Sequence, residues 1–316
     1  GKGLVMAMEG STEGLELIEA GMDASESPTE LLWCRIMEIR GLTALANAKV
    51  LSEQEMFEAV DEASQVTERI VDESPGAETP ELYMALGEAY LRAIKLAKAE
   101  RMFERVVNLN QGLTEKAEAR WELTQQIRRA APRTSIGVQI ALAERITRAD
   151  MAALLTEELE VERFYSRTQR MNQAGFTPPA VSAPGQAAMP HDASDHPMAL
   201  DIQNVVRLGV RGLEPFPDGS FHPDQPMSRM EAAMVFEDVI IRARNDPGLA
   251  TRFIGEASPF PDMSPTHPAF NAVMVCVTRG FFDTNTGSGM FDPMGSMSGA
   301  AAVLAINRLK EELNVF

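Results

Sequence analysis

Two arginines stand beside helix-capping residues in the same local pattern, and no other arrangement in the chain favours ligand chemistry as clearly. The pattern is Thr147-Arg148-Ala149-Asp150 in one segment and Ser228-Arg229-Met230-Glu231 in another. A hydroxyl residue followed three positions later by an acid forms a capping box, which starts a helix. The planar donors of an arginine beside the positive end of that helix are suited to a bidentate grip on a carboxylate or phosphate.

A loop with defined turn chemistry precedes the second of these caps. It contains Asp218, Gly219, Phe221 and Pro223. Gly219 suits a turn position with positive φ, Phe221 is expected to anchor the loop in the core, and Pro223 restricts its freedom. Residues 289–293, Gly-Met-Phe-Asp-Pro, repeat this order later in the chain. The second half therefore consists of copies of one helix–loop–helix unit.

We place three diverged copies of this unit at about 131–170, 190–245 and 256–316. The first copy supplies only its later part, Ile140 to Glu158, and we expect the last helices before it to take the place of its front half. The third copy has Gly299 where the pattern has its arginine. One of the three caps therefore lacks the residue suited to anion recognition.

This order of helix, loop and cap resembles the S-layer homology (SLH) family over roughly residues 134–314. The resemblance implies a pseudo-threefold helical unit whose grooves bind a cell-wall polysaccharide or a peptidoglycan-linked polymer. Carried over by motif position, the polymer-binding residues are Arg148, Arg229, Thr147, Asp150, Ser228, Glu231, Asp218 and Gly219. The family's ligand-stacking tryptophan is absent, since Trp33 and Trp121 both lie in the first half.

The first 130 residues carry apolar positions three and four residues apart, which predicts packed amphipathic helices. Between residues 81 and 111 the spacing is similar to a tetratricopeptide (TPR) repeat, in which large residues fill a helical hairpin and small ones allow close crossing. The residues in that register are Tyr83, Leu86, Gly87, Tyr90, Ala99 and Phe103. The resemblance implies a concave face that takes a protein partner.

The predicted fold is all-α, with a TPR-like helical array at 1–130 and an SLH-like domain at 131–316. A Pro/Ala-rich segment, residues 172–197, has the composition of a connection between copies. The formal charge of -17 argues against the clustered basic surface that nucleic acids and anionic membranes require. Cys34 and Cys276 fall in different domains inside apolar patterns, so we expect two buried thiols and no disulfide.

Two other polar clusters favour ordinary loops over metal sites. His191, Asp192, Asp195 and His196 lie close together but at no ligand spacing, which indicates a solvated loop. Residues 283–289 begin like a calcium loop, but the closing glutamate is missing, which favours a turn. We expect no metal, no cofactor and no catalytic residues, because no nucleophile–base set or phosphate loop is present.

These features predict a non-catalytic protein of the cell envelope, periplasmic or on the cell surface. Its SLH-like domain would hold a wall polymer and its TPR-like array a protein partner. The alternative from another class is a structural subunit of a surface assembly or filament, a homo-oligomer that uses both domains for protein contacts. A further hypothesis is that Gly1, standing where a nascent chain has Met, begins a processed and exported chain.

Overall fold

The computed structural model describes residues 1–165 and 189–313, and it divides the chain into two compact units, residues 1–128 and 129–316. Within the described ranges the regular elements are helices, without a β-strand, so the all-α prediction is confirmed. No helix in those ranges combines the length and the apolar character needed to cross a bilayer.

The first unit is a succession of helices joined by short turns. The helices are α1 Lys2–Met8, α2 Glu13–Asp23, α3 Pro28–Asn47, α4 Glu53–Glu73, α5 Pro80–Arg92, α6 Leu96–Leu109 and α7 Thr114–Ala130. Their starts follow from local chemistry: Ser27 caps α3, which opens on a proline, and Ser52 forms a capping box with Glu55 at α4. Neighbouring helices pack on one another, α5 and α6 most extensively.

A close approach of α5 and α6 depends on one small residue. A Cβ added to Gly87 would lie 2.5 Å from the ring of Phe103, which is itself fully buried. Ala99 on α6 and Tyr83 and Tyr90 on α5 are buried as well. These positions thus have the small and large roles that the sequence predicts, while the assignment to the TPR family stays a prediction.

The described part of the second unit, residues 129–165 and 189–313, includes three pairs of helices. They are α8 Ser135–Ala141 with α9 Arg148–Ala153, α10 Ala199–Leu208 with α11 Arg229–Arg244, and α12 Phe270–Thr278 with α13 Gly299–Leu313. A π-helical turn, Leu154–Glu158, extends α9, and a short 3₁₀ helix, Pro247–Thr251, follows α11. The second helix of each pair packs on the first helix of the next: α9 on α10, α11 on α12, and α13 on α8. The three pairs therefore close a ring.

The expectation that earlier helices replace the front half of the first copy is wrong. Helix α8, which belongs to the second unit, stands in that place and packs against α13. What the first copy lacks is the loop: only residues 142–147 connect α8 to α9, whereas residues 209–228 and 279–298, 20 in each case, connect the later pairs. The first copy is thus a helix pair without the long loop.

A buried ion pair lies where the ring closes. Lys310 Nζ on α13 is 2.8 Å from Glu158 Oε2, and both side chains are at most 6% exposed. The other carboxylate oxygen accepts hydrogen bonds from the backbone N–H groups of Arg133 and Thr134 and from the Thr134 hydroxyl. The carboxylate is therefore fully partnered, as a buried charge must be.

Two smaller predictions have mixed outcomes. Cys34 and Cys276 are both free thiols, but only Cys276 is buried, since Cys34 is partly exposed. Residues 172–188 of the predicted connection at 172–197 lie outside the described residues. Its end, from residue 189, forms turns that lead into α10.

Candidate functional site

The three cap segments of the second unit meet one another through backbone hydrogen bonds. Ile146 N–H donates to Met297 O and Met227 N–H donates to Ile146 O, each at 2.9 Å. Isolated antiparallel bridges join Thr147 to Pro226 and Ser228 to Ser296. The residues singled out from the sequence are therefore brought together from three distant parts of the chain.

The first N–H groups of the second helices bond to the loop of the next copy. Arg148 N–H and Ala149 N–H donate to Gln225 O and Pro223 O, both at 3.0 Å. In the same way, Arg229 N–H and Met230 N–H donate to Gly295 O at 2.9 Å and Pro293 O at 3.0 Å. These are the donors that a helix N-terminus normally offers to an anion. Carbonyl oxygens already occupy them.

Arg148 continues this bonding with its side chain. Nε donates to Phe221 O at 2.8 Å, Nη1 to Gly212 O at 3.0 Å and Nη2 to Glu214 O at 2.9 Å. The carbon of its guanidinium is 4.7 Å from the centre of the Phe221 ring, and the residue is 3% exposed. Arg148 thus holds the loop at 209–228. Its guanidinium group is buried and does not face a polymer.

Arg229 has the same position in the next copy but is less enclosed. Nε donates to Phe291 O at 2.9 Å and Nη2 donates to Asp283 O at 2.6 Å. Within the described residues Nη1 has no hydrogen-bond partner, and the side chain is only half-buried. Arg229 therefore holds the loop at 279–298 and still has one terminal nitrogen for a ligand.

The remaining sequence-predicted site residues shape these helix starts and the loop. Thr147 with Asp150, and Ser228 with Glu231, form complete capping boxes, which confirms that prediction. Asp218 accepts hydrogen bonds from the N–H and the hydroxyl of Ser220. Gly219 has φ +83°, a left-handed conformation that glycine adopts at low cost.

Two aspartates that sequence reasoning did not include as site residues fix the loops from the other side. Asp192 accepts from Phe221 N–H and His222 N–H, both at 2.8 Å. Asp262 accepts from the N–H groups of the matching residues, Phe291 at 3.0 Å and Asp292 at 2.7 Å. Each aspartate lies 29 residues before the phenylalanine whose N–H donates to it. This repeated spacing could have identified both aspartates from the sequence. The segment around Asp192 is a solvent-exposed turn, and its carboxylate also anchors the loop at 209–228.

These contacts hold a strained backbone in both loops. His222 and Asp292 have φ of +52° and +56°, which is uncommon for residues with a side chain. Partial burial opposes ionisation of Asp192 and Asp262, but the backbone N–H donors outweigh it and lower the pKa of both. The carboxylates are thus charged at neutral pH and stabilise the loops that present the site.

The charges around the two arginines are predominantly negative. Burial lowers the pKa of Arg148, opposed by the nearby carboxylates of Glu231, Glu214 and Asp192. The surroundings of Arg229 are equivalent, with three aspartates near it at positions 262, 283 and 292. Since an arginine stays protonated in proteins, Arg148 is one cation among three carboxylates. At the Arg229 site a second cation, Arg308, lies 3.9 Å from Asp283, so carboxylates still outnumber cations. Such a site favours a ligand rich in hydroxyl groups over one of high negative charge.

An aromatic surface adjoins the first of these sites. Phe216 is 37% exposed and packs edge-on against His222, with ring centres 4.9 Å apart. Beside it is an open cleft of 410 Å³ lined by Asp192, His222, Pro223, Asp224 and Gln225. Aromatic rings next to carboxylate and amide groups can stack on a sugar and bond to its hydroxyls. Phe216 thus offers a ring in a chain whose second half has no tryptophan.

The third cap differs because it has no loop to hold. A Cβ at Gly299 would lie 1.6 Å from Ile140 O, and Gly299 N–H donates to Ala143 O at 2.8 Å. The short connection of the first copy passes directly over this helix start. Gly299 is therefore required by close packing, and the loop carbonyls that an arginine would bind are missing as well.

The two clusters interpreted as loops form no metal centre in the described ranges, where no group of three or more His, Cys, Asp or Glu residues is placed to hold a metal ion. In the segment 283–289, Asn285 Oδ1 accepts from the N–H groups of Gly287 and Ser288. This bonding is typical of an Asx turn, as the sequence indicates.

Comparison with known proteins agrees with the repeated geometry. Residues 191–233 and 259–303 match the family model of the S-layer homology domain. No curated protein and no solved structure matches the chain. The matched segments cover α10 with its loop and the start of α11, and α12 with its loop and the start of α13. S-layer homology domains are known for anchoring surface proteins to cell-wall polymers. The chain therefore contains two S-layer homology domains and is a cell-surface or envelope-associated protein.

Proposed function

We propose that the chain is a non-catalytic envelope protein whose second unit anchors it to a cell-wall polymer. The observation that carries this proposal is the repetition of one site. Arg148 and Arg229 each hold the Phe-x-Pro loop of the next copy by equivalent bonds, with an aspartate on the opposite side of each loop. Both sites belong to segments that match, or directly contact, the S-layer homology domains.

The two sites have different roles in polymer binding. At the Arg148 site the ligand contacts the exposed rim, where Phe216 packs against His222, which lines the 410 Å³ cleft. At the Arg229 site the unpartnered Nη1 donates to a hydroxyl of the polymer. The residues of the capping boxes and of the turn at Asp218 and Gly219 position these groups. The polymer is a cell-wall polysaccharide or a peptidoglycan-linked glycan.

Co-sedimentation of the full chain with purified wall sacculi tests this proposal. We expect retention of the wild-type chain, and at least tenfold weaker retention of Phe216→Ala, since loss of one stacked ring costs about 1.4 kcal/mol or more. Ile254→Ala is the matched control, because Ile254 is also an exposed apolar residue of the second unit, 69% exposed, and lies outside both sites. A wild-type chain that stays in the supernatant would overturn the proposal, as would equal retention of Phe216→Ala and Ile254→Ala.

The first unit has a separate role in this proposal, in which its helical array binds a protein partner. The packed α5–α6 hairpin and the neighbouring helices provide the rigid surface. The alternative is a structural subunit that uses both units for contacts with further copies. Light scattering after size-exclusion chromatography separates the two. A monomer that sediments with sacculi supports the anchor, and a large homo-oligomer without affinity for sacculi supports the alternative.

A further inference from the structure

A second cavity, remote in sequence from the ring, lies within the first unit. It has a volume of 680 Å³, within the usual range of ligand pockets. It is lined by Leu4 and Met8 of α1, Arg40, Thr43, Ala44 and Asn47 of α3, Met84, Ala85 and Glu88 of α5, and Lys116 and Arg120 of α7. Four helices of the first unit thus contribute to one pocket.

The charge of this pocket is opposite to that of the chain. Three cations, Arg40, Lys116 and Arg120, face it against the single carboxylate of Glu88, whereas the chain carries a net charge of -17. Glu88 is neutralised by Arg120, whose Nε is 2.9 Å from its carboxylate. Arg40 and Lys116 form no hydrogen bond or ion pair within the described part of the first unit. Two uncompensated cations therefore remain at the pocket.

The rest of the lining is largely apolar. Met84 and Ala85 are buried in the floor, and Met8 at the side is 67% exposed, an unusual exposure for a large apolar side chain. Asn47 accepts from Arg92 through Oδ1, which leaves its amide N–H groups for another acceptor. The pocket thus combines an apolar floor, an amide donor and two free cations.

From this combination we propose that the pocket binds an acidic peptide segment of a protein partner, with a carboxylate between Arg40 and Lys116 and an apolar side chain against Met8 and Met84. A neutral peptide would leave the two cations unpaired, and a bare phosphate or sugar acid would leave the apolar floor uncovered. The inference deepens the proposed partner-binding role of the first unit and does not depend on wall anchoring.

Selection of a phage-displayed random dodecapeptide library on the full chain tests the proposal, followed by fluorescence anisotropy with the enriched peptides. We expect enriched sequences to place Asp or Glu beside Leu, Ile, Met or Phe. We also expect their affinity to fall at least tenfold in Arg40→Glu/Lys116→Glu and in the milder Arg40→Gln/Lys116→Gln, which keeps the fold if the reversal does not. Circular dichroism monitors the helices of each variant.

Arg69→Glu/Arg101→Glu is the matched control, since both residues are exposed, lie in the first unit outside the pocket, and undergo the same charge change. It should bind the enriched peptides as the wild type does. The proposal is overturned if no peptide is enriched, if enriched peptides lack acids, or if both pocket variants keep wild-type affinity. The peptide experiment contains no wall material, so its failure would not affect the result of co-sedimentation with sacculi. Failure of the co-sedimentation would likewise not affect the result with peptides.

Discussion

At the residue scale, the arginines of the cap motif act on the copy that follows them. Three side-chain donors of Arg148 are bonded to carbonyl oxygens 64 to 73 residues later in the chain. Arg229 bonds to the loop of the third copy in the same way. Hydrogen bonds from a charged donor contribute about 1.5–3 kcal/mol each, and buried carbonyls left without a donor add a penalty. Each arginine therefore stabilises a loop in the next copy.

Exchanging the two arginines for alanine should loosen different loops. In Arg148→Ala we expect amide hydrogens of residues 209–228 to exchange at least tenfold faster, since the loss of one charged hydrogen bond already corresponds to that factor. In Arg229→Ala the increase should fall in residues 279–298. Hydrogen exchange with mass spectrometry of the full chain measures both, and each variant is the control for the other.

Arg148→Lys extends this test, because lysine keeps the charge but lacks the planar fork that reaches three carbonyls. We expect it to loosen the loop at 209–228 nearly as much as alanine. Two results would contradict the role we assign to these arginines. One is that Arg229→Ala speeds exchange in the loop of its own copy, residues 209–228, and not at 279–298. The other is that no arginine variant changes exchange in either loop.

The origin of the correct and incorrect sequence predictions is visible at this scale. The capping boxes at Thr147 and Ser228 and the turn at Gly219 depend on residues within a few positions, so the sequence alone was sufficient. The partners of Arg148 and Asp192 lie far away along the chain and could not be predicted from local pattern. A residue type suited to binding an anion is equally suited to binding carbonyl oxygens, and only the fold decides between them.

At the element scale, loop length and residue type change together. The pairs α10–α11 and α12–α13 have a 20-residue loop, and each loop is held by an arginine of the preceding copy. The pair α8–α9 has a six-residue connection, and the helix that faces it begins with Gly299. The missing arginine of the third copy, which looked like a lost ligand site, is therefore explained by the missing loop of the first.

Gly299→Ala should strongly destabilise the second unit. The new Cβ would lie 1.6 Å from a backbone oxygen, so α13 must shift away from α8. Overpacking of this kind costs about 1–3 kcal/mol or more, although alanine is the better helix former. We expect a clear decrease in the thermal midpoint of the second unit by differential scanning calorimetry.

Gly76→Ala provides the comparison, because a Cβ there has no neighbour within 4 Å and the residue lies in the first unit. Its effect should be within about 0.5 kcal/mol of the wild type. If Gly299→Ala were equally neutral, the close packing of α13 on the first copy would be refuted.

At the scale of the whole chain, the second unit depends on one non-covalent closure. Helices α8 and α13 come from its two ends and pack together, and Lys310 of α13 forms a buried ion pair with Glu158 of the turn that extends α9. Burial alone would raise the pKa of Glu158, but the hydrogen bonds from Lys310 and Thr134 outweigh it and lower the pKa. Periodicity predicted the helices on both sides of this closure, but no local feature predicted that they meet.

The lowered pKa of Glu158 makes part of the stability dependent on pH. A carboxyl whose pKa is lower in the folded state stabilises it at pH values above its unfolded pKa, about 4.3 for glutamate, and that contribution disappears as the pH falls through the folded value. In urea unfolding, the wild type should therefore be more stable than Glu158→Gln by a constant amount above about pH 5, and the difference should shrink below about pH 4.

Lys310→Met should destabilise the second unit by about 3–5 kcal/mol near neutral pH, because it leaves a buried carboxylate without its cation. The double variant Glu158→Gln/Lys310→Met should recover part of this loss, since no buried charge remains. A stability difference between the wild type and Glu158→Gln that does not change with pH would show that the pair does not contribute as described.

The ring closure also bears on how the protein is synthesised. Helix α8 leaves the ribosome before the roughly 160 residues that separate it from α13 have been made. Until then Ile140 and Ala141, both buried in the finished ring, lack their partner surface and remain exposed to solvent or to a chaperone. The entropic cost of bringing such distant segments together must be met before their contacts form, so closure is a late step in folding. A nascent chain of this protein is thus most vulnerable to aggregation and proteolysis just before α13 is complete.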